Sequence, residues 1–175
     1  VLALNAFQKS LRDDPQFYLS MMEQSYIYEE MGSMKEALHF AKEAVSMNDN
    51  NLDYQKRLAF LYIDSGRFEE SLACLKKLVD FEPNRFYNWY AYSEVLMLIG
   101  EFEDAITVLN QATKLHNRAE IYYQLSNCYF HMNNQKEGRK ALDVALNLDP
   151  NLLEDMKLKY PFIKEEVEKV KTKKK

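Results

Sequence analysis

Apolar side chains along this chain recur at helical spacing. Leu58 and Tyr62 lie four apart, and Leu72, Leu75 and Val79 recur at three and four, each set in its own stretch. That periodicity predicts amphipathic helices. Gly66 closes the first stretch as a left-handed cap, and Pro83 closes the second. Two helices of about 13 residues, joined by a tight turn, form the unit of this pattern.

The unit repeats. Gly32, Gly66 and Gly100 are each separated by 34 residues and are followed by kindred phrases: Met34-Lys35-Glu36-Ala37-Leu38, Phe68-Glu69-Glu70-Ser71-Leu72 and Phe102-Glu103-Asp104-Ala105-Ile106. A fourth copy begins 33 residues further on at Asn133, and Asn is the next choice after Gly where a backbone must turn left-handed. Pro15, Pro83 and Pro150 keep the same beat. When the four copies are superposed, three positions carry small residues almost throughout. They are Ser25, Ala37 and Ala44; Ala59, Ser71 and the exception Leu78; Ser93, Ala105 and Ala112; and Ser126, Gly138 and Ala145. Antiparallel helices approach closely only where side chains are small, and the large residues between them form the ridges.

In these residues the chain resembles the tetratricopeptide repeat family. Trp89 and Tyr122 stand at the family's first aromatic position, and Leu58 and Leu125 at its leucine. Tyr28, Tyr62 and Tyr129 occupy its tyrosine, and Pro83 and Pro150 its terminal proline. The resemblance implies an all-α fold, a right-handed α-solenoid of antiparallel helix pairs. Its expected repeats are residues 18–51, 52–85, 86–118 and 119–152. Residues 1–15 match the second helix of a repeat whose first helix would lie upstream, with Ala3, Phe7, Ser10 and Pro15 in place, so the reading expects a longer protein. Residues 153–175 are expected to form a C-terminal capping helix and a basic tail. Pro161 interrupts that helix, and Phe162, Ile163, Val167 and Val170 give it an apolar stripe. A single repeat cannot bury its own apolar face, so stacking and capping are required.

The family's first helices line a concave groove. Carried over to this chain, the groove positions are Leu19, Met22, Tyr26, Glu29 and Glu30; Asp53, Lys56, Phe60, Ile63 and Asp64; Tyr87, Tyr90, Glu94, Met97 and Leu98; and Glu120, Tyr123, Asn127, Phe130 and His131. We single out Met22, Tyr26, Lys56, Phe60, Asp64, Tyr87, Tyr90, Glu94, Tyr123, Asn127 and Phe130 as the partner-binding groove. Aromatics supply contact area at small entropy cost, and Met adapts to irregular partners. The acidic groups beside them favour Lys or Arg on the partner. Some of these residues could instead pack between adjacent helices. The carboxylate clamp by which some members hold chaperone tails needs Asn where Phe60 and Ala91 stand and basic residues where Glu120 and Gln124 stand, so no clamp binding is expected.

Composition narrows the remaining options. The 175 residues are 47% hydrophobic and 29% charged, with four Gly and four Pro. That is a globular balance, poor in turn formers, and it points away from a many-stranded sandwich. The net charge is −4, but residues 157–175 contribute eight Lys and three Glu, leaving −9 on the rest. An acidic body argues against nucleic acid as partner, and no apolar run approaches the ~20 residues of a membrane span. The start Val1-Leu2-Ala3-Leu4-Asn5-Ala6-Phe7 has no basic leader and no sustained apolar stretch. Cys74 and Cys128 match no zinc spacing and read as small buried hydrophobes in a reducing compartment. His39, His116 and His131 have no second ligand at metal spacing, and no phosphate-cradling or nucleophile-elbow motif occurs. The expectation is therefore a non-enzymatic, cytoplasmic module that binds a protein or peptide segment, with no cofactor and no metal. The alternative is a structural spacer or self-association module, with the exposed ends as a route to homodimers.

Overall fold

The computed structural model describes the backbone of residues 15–173 and the side chains of residues 19–169. The half repeat expected over residues 1–15 and the basic tail therefore lie largely outside the described residues. Every described element is helical: α1 (Pro15–Glu30), α2 (Met34–Met47), α3 (Leu52–Asp64), α4 (Phe68–Phe81), α5 (Phe86–Leu98), α6 (Phe102–Ala112), α7 (Ala119–His131), α8 (Gln135–Leu148), a short 3₁₀ turn (Pro150–Leu152), α9 (Leu153–Lys159) and α10 (Pro161–Lys173). The chain divides into two compact units between Phe81 and Glu82.

The turn inside each repeat forms as its residues dictate. Gly32, Gly66 and Gly100 take φ of +74°, +69° and +85°, and Asn133 takes +58°. Each turn satisfies the last carbonyls of the preceding helix by the same pair of bonds. At the second turn Gly66 N donates to Ile63 O (2.9 Å) and Arg67 N to Tyr62 O (2.8 Å). At the fourth, Asn133 N donates to Phe130 O (3.0 Å) and Asn134 N to Tyr129 O (2.8 Å). This is the Schellman arrangement, open to a left-handed residue only.

The small-residue positions do what close helix crossing requires. Ser25, Ala37, Ala44, Ala59, Ser71, Ser93, Ala105, Ala112, Ser126 and Ala145 are all fully buried, and Leu78 and Gly138 are buried as well. In the first unit, α1 and α2 are locked by Ser25 Oγ donating to Ala37 O (2.9 Å) and by Tyr28 stacked on Phe40 at 5.3 Å. Asn51 caps α3 by accepting from the backbone N of Asp53 and Tyr54. Gln55 Nε2 donates to Asp49 O (2.9 Å), which ties α3 back to the preceding loop.

In the second unit, Trp89 Nε1 donates to Pro83 O (2.7 Å) and so anchors α5 to its own entry turn. Pro161 opens α10 at a position where its missing N–H costs nothing, after Tyr160 leaves the helical region (φ −124°, ψ 96°). The C-terminal segment is therefore two helices with an elbow at Tyr160. Met156, Tyr160 and Ile163 bury themselves against Ala119, Tyr123, Phe130, Leu142 and Ala145. The segment thereby covers apolar faces of α7 and α8.

Candidate functional site

In the first unit the facing side chains of α1 and α3 surround an open cleft of about 570 Å³, lined by Tyr26, Asp53, Lys56, Arg57 and Phe60. Spacing of three, four and seven residues along α3 brings Asp53, Lys56, Arg57 and Phe60 to that side. Tyr26 is 50% exposed and Phe60 42%. The Arg57 guanidinium lies 3.9 Å over the Tyr26 ring and pairs with Glu29 at 2.6 Å, while its Nη2 donates to Ser25 O (3.3 Å). Its buried Nε has no hydrogen-bond partner. Met22 is buried, and Asp64 is exposed at the end of α3.

The second unit is different. Tyr87 is 70% exposed, whereas Tyr90 and Glu94 are half-buried. Tyr123, Asn127 and Phe130 are buried, Tyr123 completely. The α7 face that the repeat pattern turns toward solvent is covered here by the C-terminal segment, which is why no open aromatic ladder runs along this unit. Tyr123 donates through its hydroxyl to Asp149 O (3.3 Å), and burial raises its phenol above the usual range. Asn127 Nδ2 meets Met97 Sδ at 3.6 Å, and its buried Oδ1 accepts no hydrogen bond.

Glu94 is the hub of this face. It accepts from Gln124 Nε2 (2.8 Å), from the Tyr160 hydroxyl and, as an ion pair, from Lys159 Nζ. Lys159 also donates to the Tyr90 hydroxyl (2.7 Å) and sits 4.8 Å from the centre of that ring. Ser93 Oγ completes the network with Gln124 Oε1 at 2.9 Å. Burial works against the Lys159 charge, but the bonds to Glu94 and Tyr90 outweigh it and hold the ammonium pKa above its usual value. Burial, reinforced by the Glu94 charge, pushes the Tyr160 phenol far up, so it stays a hydrogen-bond donor. Beside the network runs a cleft of about 290 Å³ lined by Met97, Leu98, Phe102, Asn127 and His131 together with Glu94 and the Lys159–Pro161 elbow. His131 stacks on Phe102 at 4.2 Å and meets Phe162 edge-on at 4.5 Å, and burial lowers its pKa.

The repeat pattern did not disclose Lys159, Tyr160 or Phe162 as parts of this face. The elbow reaches α5 across 66 to 69 residues, and local periodicity carries no information about so distant a pairing. Pro161, which breaks the helix there, was its one visible mark.

Among the described residues no group of three or more His, Cys, Asp or Glu is placed to hold a metal ion. No described helix is long and apolar enough to cross a membrane. Both cysteines are buried free thiols, and burial pushes that of Cys128 up to about 12.

A tetratricopeptide repeat model matches residues 28–88, and a model of anaphase-promoting complex, cyclosome, subunit 3 matches residues 74–145. The human protein O-mannosyl-transferase TMTC1 is 25% identical over 134 residues, which are 76% of this chain but only 15% of that protein's length. Among solved structures, MamA 41-end from Desulfovibrio magneticus RS-1 aligns at TM-score 0.68 with 22% identity, over 89% of this chain and 92% of the other. Another MamA crystal structure aligns at TM-score 0.71 with 20% identity, over 88% of each chain. These structural likenesses establish the all-helical repeat fold.

Proposed function

We propose that this chain is a non-enzymatic interaction scaffold that binds a partner segment along the faces of its first helices, a reading supported by its match to a tetratricopeptide repeat model over residues 28–88. The observation that carries this reading is the cleft of the first unit. Two large aromatics, Tyr26 and Phe60, stand about half exposed around one opening, with Asp53, Lys56 and Arg57 at its edge. Exposed aromatic area ringed by polar groups is the chemistry of a protein contact. The mixed charges at the edge suit a polar extended segment, and the acidic side chains of the neighbouring first helices favour Lys or Arg on it. Phe60 and Ala91 at the clamp's Asn positions, and Glu120 and Gln124 at two of its basic positions, speak against acidic chaperone tails. Two buried free thiols accord with a reducing, cytoplasmic setting.

The test is affinity capture with the wild-type chain beside the Tyr26→Ala/Phe60→Ala variant. Both side chains are substantially exposed, so the fold should survive and equal thermal melting would verify it. Partners held by the wild type and lost by the variant support the reading. Identical capture by both would remove the first unit's cleft from the interaction.

A further inference from the structure

The first-helix face of the second unit already holds a ligand, and that ligand is the chain itself. Lys159 and Tyr160 leave the end of α9 at an elbow and reach α5. The ammonium of Lys159 pairs with Glu94, donates to the Tyr90 hydroxyl at 2.7 Å and lies over that ring. The phenol of Tyr160 donates to the same Glu94 carboxylate. One acid therefore accepts from a cation and from the adjacent phenol, and an aromatic ring backs the cation. Gln124, itself held by Ser93, orients the carboxylate from α7. This polar arrangement comes in addition to the apolar contacts of Met156, Tyr160 and Ile163 with α7 and α8.

We propose that Glu94, Tyr90 and Gln124 form a recognition site for a partner segment bearing Lys or Arg immediately before Tyr, and that the chain's own Lys159-Tyr160 step occupies this site as a built-in competitor. The inference deepens the first-helix binding reading and rests on it. Charge complementarity commits the occupant: the site offers a carboxylate and a π face, and a cation next to a phenol satisfies both at once. An external segment binds only when the elbow has left, so its apparent affinity is the intrinsic affinity scaled by the open fraction. The Lys159 side chain is 40% exposed, whereas Tyr160 is buried in the apolar cluster, so opening the site lifts Tyr160 out of that cluster.

The probe is a fluorescein-labelled peptide with the sequence of residues 155–164, titrated into the 175-residue chain by fluorescence anisotropy. In Lys159→Met/Tyr160→Phe the apolar volume is kept and the bonds to Glu94 are lost. The expected result is peptide binding about tenfold or more tighter than to the wild type. Adding Glu94→Gln to that variant should reverse the gain, and a peptide carrying the same Lys→Met and Tyr→Phe changes should not bind. Lys159→Met alone, at a partly exposed position, is the second variant if the double one melts early. Unchanged peptide affinity in folded Lys159→Met or in the double variant overturns the proposal, as does a gain that survives Glu94→Gln. Tyr26→Ala/Phe60→Ala, which alters only the first unit, separates the two readings. If partner capture is indifferent to that variant while the peptide still obeys Glu94, the first-unit reading fails and this one stands. Loss of capture with no peptide response gives the reverse.

Discussion

Replacing Gly138 by Ala sets two well-characterised effects against each other at one atom. Gly138 lies inside α8, where alanine would ordinarily improve the helix by about 1 kcal/mol. Here a Cβ would sit 2.5 Å from Phe130 Cε1 and 2.6 Å from its Cδ1, roughly 1 Å closer than ordinary contact. The ring would have to move by about that amount, yet Phe130 is 2% exposed and belongs to the cluster of Tyr123, Leu142, Tyr160 and Ile163. Overpacking of this kind costs about 1–3 kcal/mol. The expected net is a destabilisation of about 1 kcal/mol, read as a fall of roughly 2–4 °C in the melting temperature of a chain this size. Circular dichroism melts and urea titrations measure it. The decisive comparison repeats the substitution in a Phe130→Leu background, where the obstructing ring is gone and Gly138→Ala should become stabilising. A coupling of about 2 kcal/mol between the two sites is expected. Equal stabilisation by Gly138→Ala in both backgrounds would refute the steric argument.

Other outcomes follow from single contacts. Arg139→Ala leaves the Glu166 carboxylate, 4% exposed and paired with that arginine, without its partner. It should cost on the order of 1–3 kcal/mol in urea unfolding, and adding Glu166→Gln should recover much of the loss. Burial lowers the pKa of His131, so as pH falls through the usual value of 6.5 the unfolded chain takes up a proton that the folded chain resists. Its contribution to stability is complete above that value and declines as pH falls toward the folded pKa, so melting temperatures measured from about pH 8 to 5 should fall less steeply in His131→Gln. Cys128, buried with its thiol pushed up to about 12, should react with a thiol reagent at pH 8 only at the rate of structural opening. Labelling of the native chain as fast as of the denatured one would contradict this.

The repeat architecture was legible because it is written in short-range chemistry. Positive φ at Gly32, Gly66, Gly100 and Asn133 follows from the residues placed there, and the small residues at the crossings are buried as close packing demands. Even the exception at position 78 is buried, so a leucine is accommodated where the other repeats place alanine. Candidate-site residues were less legible. Tyr26, Lys56 and Phe60 gather at one cleft, which helical spacing along α3 makes readable. Tyr123 and Asn127 stand at the repeat positions of Lys56 and Phe60 yet are buried, and Tyr123 shares its cluster with Met156, Tyr160 and Ile163, which lie over that face. Equivalence of position under a 34-residue period assumes the same neighbours for each copy, and the last copy has a different one. His131 shows the same limit. Its partner Phe162 lies beyond a proline break, where no period extends.

The elbow at Tyr160 also bears on how the molecule folds. In a simple repeat array each helix pair touches only its neighbours, so loop closure is short-range and unfolding can start at an end and spread. Bonds from residues 159 and 160 to residues 90 and 94 close a loop of nearly seventy residues, and the entropy of that closure grows with the logarithm of its length. The second unit can complete this contact only after α5 to α8 are in place. Synthesis from the N-terminus supplies those helices before the elbow, so the nascent unit presents an uncovered α7 until residues 153–163 emerge.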